Sequence, residues 1–147
     1  MMVAPARKMV AGALSWGAAG LLAALSFVAT PAKFLATNVP LEHLLAVGRV
    51  TFRASLAAEG VLLFLLLLIS WRRLRWWPAA IAALLAAQHL LLMPALDART
   101  LAVMEGAVLA PSPLHALWVL ADVLRIGGYG VLGTIAWRSA IRGSGQE

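Results

Sequence analysis

The sequence predicts an all-α integral membrane protein, folded as an antiparallel bundle of four transmembrane helices. First, 63% of the 147 residues are hydrophobic and 12% are charged, with a mean hydropathy of +0.90, which is far more apolar than a soluble domain. Second, four apolar segments are long enough to cross a hydrocarbon layer of ~30 Å as helices. Third, these Leu- and Ala-rich segments lack the alternating pattern of barrel strands, so only helices satisfy their backbone hydrogen bonds in lipid.

The four predicted spans follow one another in a single domain, residues 1–147. The first span follows Arg7 and Lys8, as a secretion signal would, but its ~21 apolar residues exceed a signal core, so we expect a retained helix. The third span is the shortest because Pro94 ends it, and we expect a kinked continuation after it at the outer surface. The spans cover residues 9–30, 47–70, 78–94 and 114–137, and a frayed tail is expected at 143–147.

The position of the charges predicts the orientation of the bundle. With a cytoplasmic amino terminus, seven of the twelve basic residues lie inside, where Glu147 is the one acid. The other five basic and five acidic residues then lie in the outer loops and the outer parts of the helices. Lys and Arg accumulate in short cytoplasmic loops, so we expect a multi-pass inner-membrane protein with both termini inside. The inner cations are Arg7, Lys8, Arg72, Arg73, Arg75, Arg138 and Arg142.

The connection between the second and third spans, WRRLRWWP at residues 71–78, is predicted to lie at the inner membrane surface. Tryptophan suits the membrane interface, and arginine can bind anionic lipid headgroups. A basic and aromatic stretch can also bind nucleic acid, but a short loop between two spans does not suit that role. The bilayer and its anionic lipids are therefore the expected partners. The predicted anchors are Trp71, Arg72, Arg73, Arg75, Trp76 and Trp77.

Polar side chains recur at helical spacing in the outer half of every predicted span. The fourth span shows a stripe with spacings of 3, 4, 3 and 4 residues, which points at neighbouring helices. It consists of His115, Trp118, Asp122, Arg125 and Tyr129. The first span shows the same rhythm at Ser26, Thr30, Lys33 and Thr37. These stripes indicate a polar interior shared by the helices.

We expect these polar groups to meet in a buried network, because a lone charge in the membrane costs from ~2.5 to more than ~10 kcal/mol. Asp122 and Arg125 are three residues apart and can pair on one helix. Arg53 and Glu59 are expected to reach other helices. The predicted network is Arg53, Glu59, His89, Asp122 and Arg125, with the glycines at 127, 128, 130 and 133 as its floor. The wider pocket also includes Arg49, Gln88, Asp97, Arg99 and His115.

Two interpretations of this network stay open at the sequence level. Buried ion pairs can lock helices in register without adding much stability. Alternatively, ionisable residues within a membrane often mark a solute pathway, here an outward-facing polar pocket. The spacing of the residues is compatible with both.

The three histidines are candidates for a metal or haem site, because imidazole ligates both. The candidates are His43, His89 and His115, all in the outer half, but no HxxxH or HExxH spacing is present. Without cysteines, thiolate sites and cysteine nucleophiles are excluded, and no serine has a recognisable nucleophile setting. We therefore expect no cofactor and lean against an enzyme, with haem or a transition metal as the alternative.

The order of several motifs resembles a known family. These are SWG, FVATPAKF and VGRVTFRA, followed by QHLLLMPALDARTLAVMEG and PSPLHALWVLADVLR. The chain is similar over most of its length to the small four-helix membrane family of unknown function that includes transmembrane protein 205-like proteins. It more distantly resembles copper-resistance D-type membrane domains, which implies a metal role as one option. The resemblance implies a helical bundle and no defined activity.

The leading functional hypothesis is an outward-facing polar pocket used in solute or metal transport or tolerance. The alternative is a structural or accessory subunit of a larger membrane complex, and the third is a haem- or metal-binding redox protein. Four helices are few for an alternating-access carrier, and no inverted repeat is evident. Transport would therefore require a homo-oligomer or a larger complex.

Overall fold

A computed structural model describes residues 4–70 and 74–144 of the chain, and these residues form four long helices packed as a bundle. Each helix contains a segment long and apolar enough to cross a membrane, so the predicted all-helical four-span fold is confirmed. Helix α1 covers residues 4–35, α2 covers Leu41–Ile69, α3 covers Trp76–Met104 and α4 covers Leu114–Ser144.

The helices are longer than the predicted spans. Helix α2 has 29 residues, or ~43 Å at 1.5 Å per residue, against a hydrocarbon layer of ~30 Å. Helix α3 does not end at Pro94 but continues to Met104. Helix α4 also includes residues 143 and 144 of the expected tail, whereas residues 145–147 lie outside the described part of the chain. Each helix is therefore longer than an upright crossing of the apolar layer requires.

Helices α1 and α3 each contain a proline that follows a short π-helical segment. Pro31 follows a π-helical segment at Ala24–Ala29, and Pro94 follows another at Gln88–Leu92. Proline lacks a backbone N–H and its ring collides with the carbonyl four residues earlier, which ends or kinks a regular helix. A π-helical turn changes the local hydrogen bonding, so both helices continue past their proline.

The bundle is antiparallel, and both ends of the described chain lie at one end of it, which we call the terminal end. There Arg7 donates hydrogen bonds to the Ile69 carbonyl at 2.5 Å and the Ser70 carbonyl at 3.1 Å. Lys8 donates to the Ser139 carbonyl at 3.2 Å. Since the last carbonyls of a helix lack partners within it, Arg7 ties the start of α1 to the end of α2.

Helices α1 and α4 form the closest pair, because small residues line their contact. Trp16 of α1 lies against Gly130 and Gly133, and a Cβ added at Gly133 would lie 2.8 Å from its ring. Gly12 approaches the Gly133 carbonyl in the same way. Small residues let helices in membranes pack closely. Buried Ala11, Ala18, Leu132 and Ala136 belong to the hydrophobic cluster around this contact.

The outer surfaces of the helices are apolar, as expected for contact with lipid. Val50 is 67% exposed, Leu90 74% and Leu91 73%, which would be unusual for so many large apolar side chains on one soluble domain. Of the predicted interface anchors, Trp76 and Trp77 stack at the start of α3 and Arg75 is exposed. Trp71, Arg72 and Arg73 lie outside the described residues.

Candidate functional site

The centre of the candidate site is an ion-pair cluster buried between α2 and α4. Arg125 of α4 pairs with Glu59 of α2 and with Asp122, three residues earlier on its own helix. All three side chains are buried. Arg125 lies ~16 Å along α4 from Leu114 at 1.5 Å per residue, so the cluster is near the middle of the bundle.

Three neutral side chains complete the hydrogen bonding of the two carboxylates. The Tyr129 hydroxyl donates to Glu59 at 2.9 Å. Ser26 of α1 donates to Asp122 at 2.7 Å, and the amide of Gln88 on α3 donates to the other Asp122 oxygen at 2.9 Å. The cluster therefore joins all four helices. We call these six residues the polar network: Ser26, Glu59, Gln88, Asp122, Arg125 and Tyr129.

The two π-helical segments supply two members of the network. Ser26 lies in the π-helical part of α1, and Gln88 begins the π-helical part of α3. Such segments are rare and often lie at functional sites, since they shift side chains relative to the regular helical face. Here both shifted side chains bind Asp122. The π-helical segments of α1 and α3 therefore both supply hydrogen-bond donors to the carboxylate of Asp122.

The polar network contains two carboxylates and one guanidinium, and its burial is costly unless hydrogen bonds offset the lost hydration. Two of its buried atoms, the Gln88 Oε1 and the Arg125 Nε, have no partner among the described residues. Beside Glu59, Asp122 and Arg125 is a cavity of ≈ 20 Å³, large enough for about one water molecule. The space beside Arg125 is therefore very small, whereas a cavity of ≈ 390 Å³ between α1 and α4 reaches Ser26 and Asp122.

Aromatic residues separate the network from the opposite end of the bundle, where the α1–α2 and α3–α4 connections lie. Trp118 is buried and makes edge contacts with Phe52, at 5.5 Å between ring centroids, and with His89, at 5.3 Å. The His89 Nδ1 is 3.1 Å from the Leu85 carbonyl of its own helix. This aromatic group forms the floor of a larger cavity above it.

The larger cavity, which we call the outer pocket, has a volume of ≈ 290 Å³ and is lined by all four helices. Its polar wall contains Lys33, the ion pair of Arg49 with Asp97, and His115. The guanidinium of Arg49 binds both Asp97 oxygens, at 2.5 and 2.9 Å, and each side chain is 25% exposed. The apolar wall is formed by Phe34, Leu45, Phe52, Met93, Leu96 and Trp118.

The structure brings together some of the predicted site residues and separates others. Glu59, Asp122 and Arg125 meet as the pattern predicted. Arg53, in contrast, is exposed and makes no hydrogen bond or ion pair to the network within the described ranges. His89 packs on Trp118 and contacts its own helix instead of a carboxylate. His89 nevertheless lines the small cavity beside Asp122 and Arg125, so it lies next to the network without bonding to it.

The remaining predicted pocket residues lie in three places. Arg49, Asp97 and His115 line the outer pocket, and Gln88 belongs to the polar network. Arg99 lies outside both and donates to the Ala110 carbonyl at 2.5 Å, so it holds the α3–α4 connection.

The predicted glycine floor is only partly in contact with other helices. Gly130 and Gly133 face Trp16, and a Cβ at Gly128 would meet Ile81 at 3.2 Å. Gly127 has no atom within 4 Å of such a Cβ.

Sequence reasoning did not place Ser26 or Tyr129 in the network, although both belong to the polar stripes of their helices. Tyr129 extends the spacing of Asp122 and Arg125 by one more turn, and this was the available signal. Ser26 belongs to the predicted polar stripe of the first span, five residues before Pro31. The π-helical segment before Pro31 determines where Ser26 points, and periodicity alone does not reveal it.

The three candidate metal-binding histidines do not converge. His43 and His115 are exposed in the first turns of α2 and α4, and His89 is deeper in the bundle. Within residues 4–70 and 74–144, no three His, Cys, Asp or Glu side chains are grouped in a way that could hold a metal ion. The described residues therefore offer no ligand set of the usual kind.

In comparisons with known proteins, no protein family, no curated protein and no solved structure matches this chain. The resemblance to the four-helix family that includes transmembrane protein 205-like proteins therefore stays a prediction from motif order.

Proposed function

We propose that the chain is an inner-membrane protein that binds a small solute in the outer pocket, as part of transport or tolerance. The observation that carries this proposal is the lining of the pocket. Lys33, the Arg49–Asp97 pair and His115, from four different helices, face a cavity of ≈ 290 Å³ with a largely apolar wall. Binding sites for small molecules combine such apolar walls with a few polar groups.

We further propose that the outer pocket opens on the side away from the cytoplasm. The excess of Lys and Arg at the start of α1, between α2 and α3 and at the end of α4 supports this orientation. The terminal end is then cytoplasmic, and the pocket at the opposite end faces outwards. A solute would enter without crossing the membrane.

The polar network has the role of a closed floor in this proposal. Trp118 lies between the outer pocket and Arg125, and the cavity of ≈ 20 Å³ beside Arg125 admits about one water molecule. In this proposal the solute is held in a receptor site on the outer side of Trp118 and does not pass Arg125. Movement of a solute across the membrane would need a second copy or another subunit, in line with the small number of helices.

Cysteine accessibility tests the pocket and its orientation, because the native chain contains no cysteine. We expect Thr100→Cys, in the pocket wall, to react with a charged, membrane-impermeant thiosulfonate added outside intact cells. The control Leu90→Cys, on an exposed apolar face of α3, should not react because lipid covers it. Arg142→Cys, at the terminal end, should react only after the cells are opened. The proposal fails if Thr100→Cys stays unreactive from the outside.

A second candidate function is an accessory subunit, and one observation favours it. A groove of ≈ 290 Å³ between α3 and α4 is almost entirely apolar, with Leu84, Leu91 and Leu120 among its lining residues. Gly127 lies on α4 one helical turn beyond this groove, and a Cβ added there would have no atom within 4 Å. Such small-residue surfaces accept another helix. Co-purification of a stoichiometric partner, lost in Gly127→Leu, would support this function.

A further inference from the structure

We infer that the outer pocket binds a lipid-like anion, with its charged headgroup on Lys33 and its acyl chain leaving between α1 and α4. This inference rests on the proposed function, since it names the class of ligand for the same pocket. The two parts of such a ligand correspond to two features of the structure, a cation without a counter-ion and an apolar opening toward the lipid.

Lys33 is the cation of the pocket that has no protein counter-ion. Among the described residues, no carboxylate lies within ion-pair distance of its ammonium, whereas Arg49 is neutralised by Asp97. The other titratable group in the lining is His115. With Lys33 and Arg49 positive and Asp97 negative, the pocket carries one excess positive charge. A ligand with one negative charge would complement it.

The position of Lys33 is determined by the backbone of the neighbouring helix. Its ammonium lies over Gly48 of α2, so close that a Cβ at this position would overlap it. The same ammonium is 4.9 Å from the centre of the Phe34 ring. Lys33 lies in the short 3-10 turn at the end of α1, which turns its side chain toward α2. Gly48 therefore leaves room for the half-buried Lys33 ammonium, and not for close helix packing.

The walls of the pocket favour an apolar chain next to the headgroup. Phe34, Phe52 and Trp118 contribute three aromatic rings, and Leu45, Met93 and Leu96 contribute aliphatic surface. A small inorganic anion would leave this surface in contact with water. An acyl chain would cover it, with a favourable contribution of ~0.8 kcal/mol per buried CH₂ group.

A lateral opening connects the pocket to the lipid side of the bundle. A second cavity of ≈ 390 Å³ lies between α1 and α4 and shares Phe34, Phe52 and Trp118 with the outer pocket. It also reaches Phe27, which is 46% exposed in the apolar part of α1. This is where α1 becomes π-helical and Pro31 follows. Ser26 and Asp122 also line this cavity but are hydrogen-bonded to each other, so an acyl chain can extend along Phe27 into the bilayer.

Binding of oleate to the purified protein in dodecyl maltoside tests the inference, with native mass spectrometry as the readout. Oleyl alcohol keeps the chain without the charge, and butyrate keeps the charge without the chain. We expect oleate to bind and both analogues to bind at least about tenfold more weakly, since each lacks one of the two interactions. Equal binding of oleyl alcohol and oleate would overturn the role of Lys33.

Three variants locate the site. Lys33→Gln should weaken oleate binding by about tenfold or more, and Gly48→Ala should weaken it while keeping the charge, because its Cβ displaces the ammonium. Arg138→Gln removes an exposed cation at the terminal end and should bind oleate normally. If Lys33→Gln does not fold, Lys33→Met, which also removes the charge, replaces it. Unchanged oleate binding in both pocket variants would overturn the inference.

The headgroup can belong to a free fatty acid or to a phospholipid, and competition separates the two. If phosphatidylglycerol added to phosphatidylcholine nanodiscs displaces oleate from the native protein, the ligand is a membrane phospholipid. If it does not, the ligand is a free single-chain acid. The labelling of Thr100→Cys is independent of both outcomes. Labelling without oleate binding retains the pocket and rejects the lipid-like anion, whereas absence of labelling rejects the proposed function itself.

Discussion

The two halves of the bundle are built from the same four helices but have different interiors. In the terminal half, α1 and α4 contact each other through Ala11, Ala18 and Ala136, and no ionised side chain is buried there in the described part of the chain. The opposite half contains Glu59, Asp122 and Arg125 together with the outer pocket. Small side chains allow close packing without cavities, whereas buried charges need partners and leave space for water.

The change from one interior to the other occurs where the helical geometry changes. Close contact of α1 with α4 extends through Trp16 and Gly130, and the π-helical segment of α1 begins at Ala24. The first side chain of that segment to bind α4 is Ser26. Close packing by small residues and burial of charged groups beside a cavity are therefore separated along one pair of helices. Substitutions can test each half separately.

The largest effect is expected in the polar network from Arg125→Gln. This change leaves Glu59 and Asp122 buried without their cation, which costs about 3–5 kcal/mol when one partner of a buried pair is removed. We expect a matching loss in the free energy of unfolding in SDS. Arg138→Gln, an exposed arginine on the same helix, is the control and should change little.

A triple variant shows whether charge or shape causes this loss. Glu59→Gln and Asp122→Asn added to Arg125→Gln remove every charge of the network and retain similar volumes. We expect much of the stability to return, since buried ion pairs can be replaced by neutral groups at small cost. A triple variant as unstable as Arg125→Gln alone would show that geometry, and not charge balance, governs this half.

The next largest effect is expected in the terminal half from Gly133→Leu. The new side chain would collide with the Trp16 ring, and overpacking of this kind costs about 1–3 kcal/mol. Thermal unfolding followed by circular dichroism measures it. Gly127→Leu, where the added atoms meet open space, should be nearly neutral. Trp16→Ala in the Gly133→Leu background should restore stability, and a failure to do so would place the strain elsewhere.

The fold could be predicted from the sequence because it depends on the length of the apolar segments. The Leu- and Ala-rich runs specify four helices through a general requirement of the bilayer, that every backbone group be paired within its segment. The ends of the helices were harder to predict. Pro94 normally ends a span, but the π-helical segment at Gln88–Leu92 carries α3 onwards to Met104, and no periodic pattern signals such a segment.

The candidate site could be predicted only in part, because the sequence of a helix does not specify its rotation about its own axis. The spacing of Asp122 and Arg125 on one helix is set by local geometry, so their pairing follows from the sequence. Whether Glu59 or Arg53 faces them depends on the rotation of α2 about its axis. The contacts with neighbouring helices set that rotation, and the sequence of α2 alone does not specify it.

A smaller effect is expected from Tyr129→Phe, which tests how much one hydrogen bond of the network contributes to stability. The change removes one hydrogen bond to Glu59 and keeps the ring, with an expected loss of about 1 kcal/mol in unfolding free energy. Thr134→Ala is the matched control, because the Thr134 hydroxyl bonds to the Gly130 carbonyl of its own helix and not to another helix. Equal losses in the two variants would mean that the interhelical bond adds nothing.

The smallest effect on stability is expected from Arg49→Gln, although Arg49 forms the same kind of ion pair as Arg125. The Arg49–Asp97 pair is 25% exposed on each side, so water hydrates either group when its partner is lost. Unfolding in low and high salt provides the measurement. Arg49→Gln should shift the midpoint slightly in low salt and less in high salt, because ions screen exposed pairs. A loss as large and as salt-independent as that of Arg125→Gln would show that the outer pocket is as dry as the network, and the contrast between a wet pocket and a buried network would no longer hold.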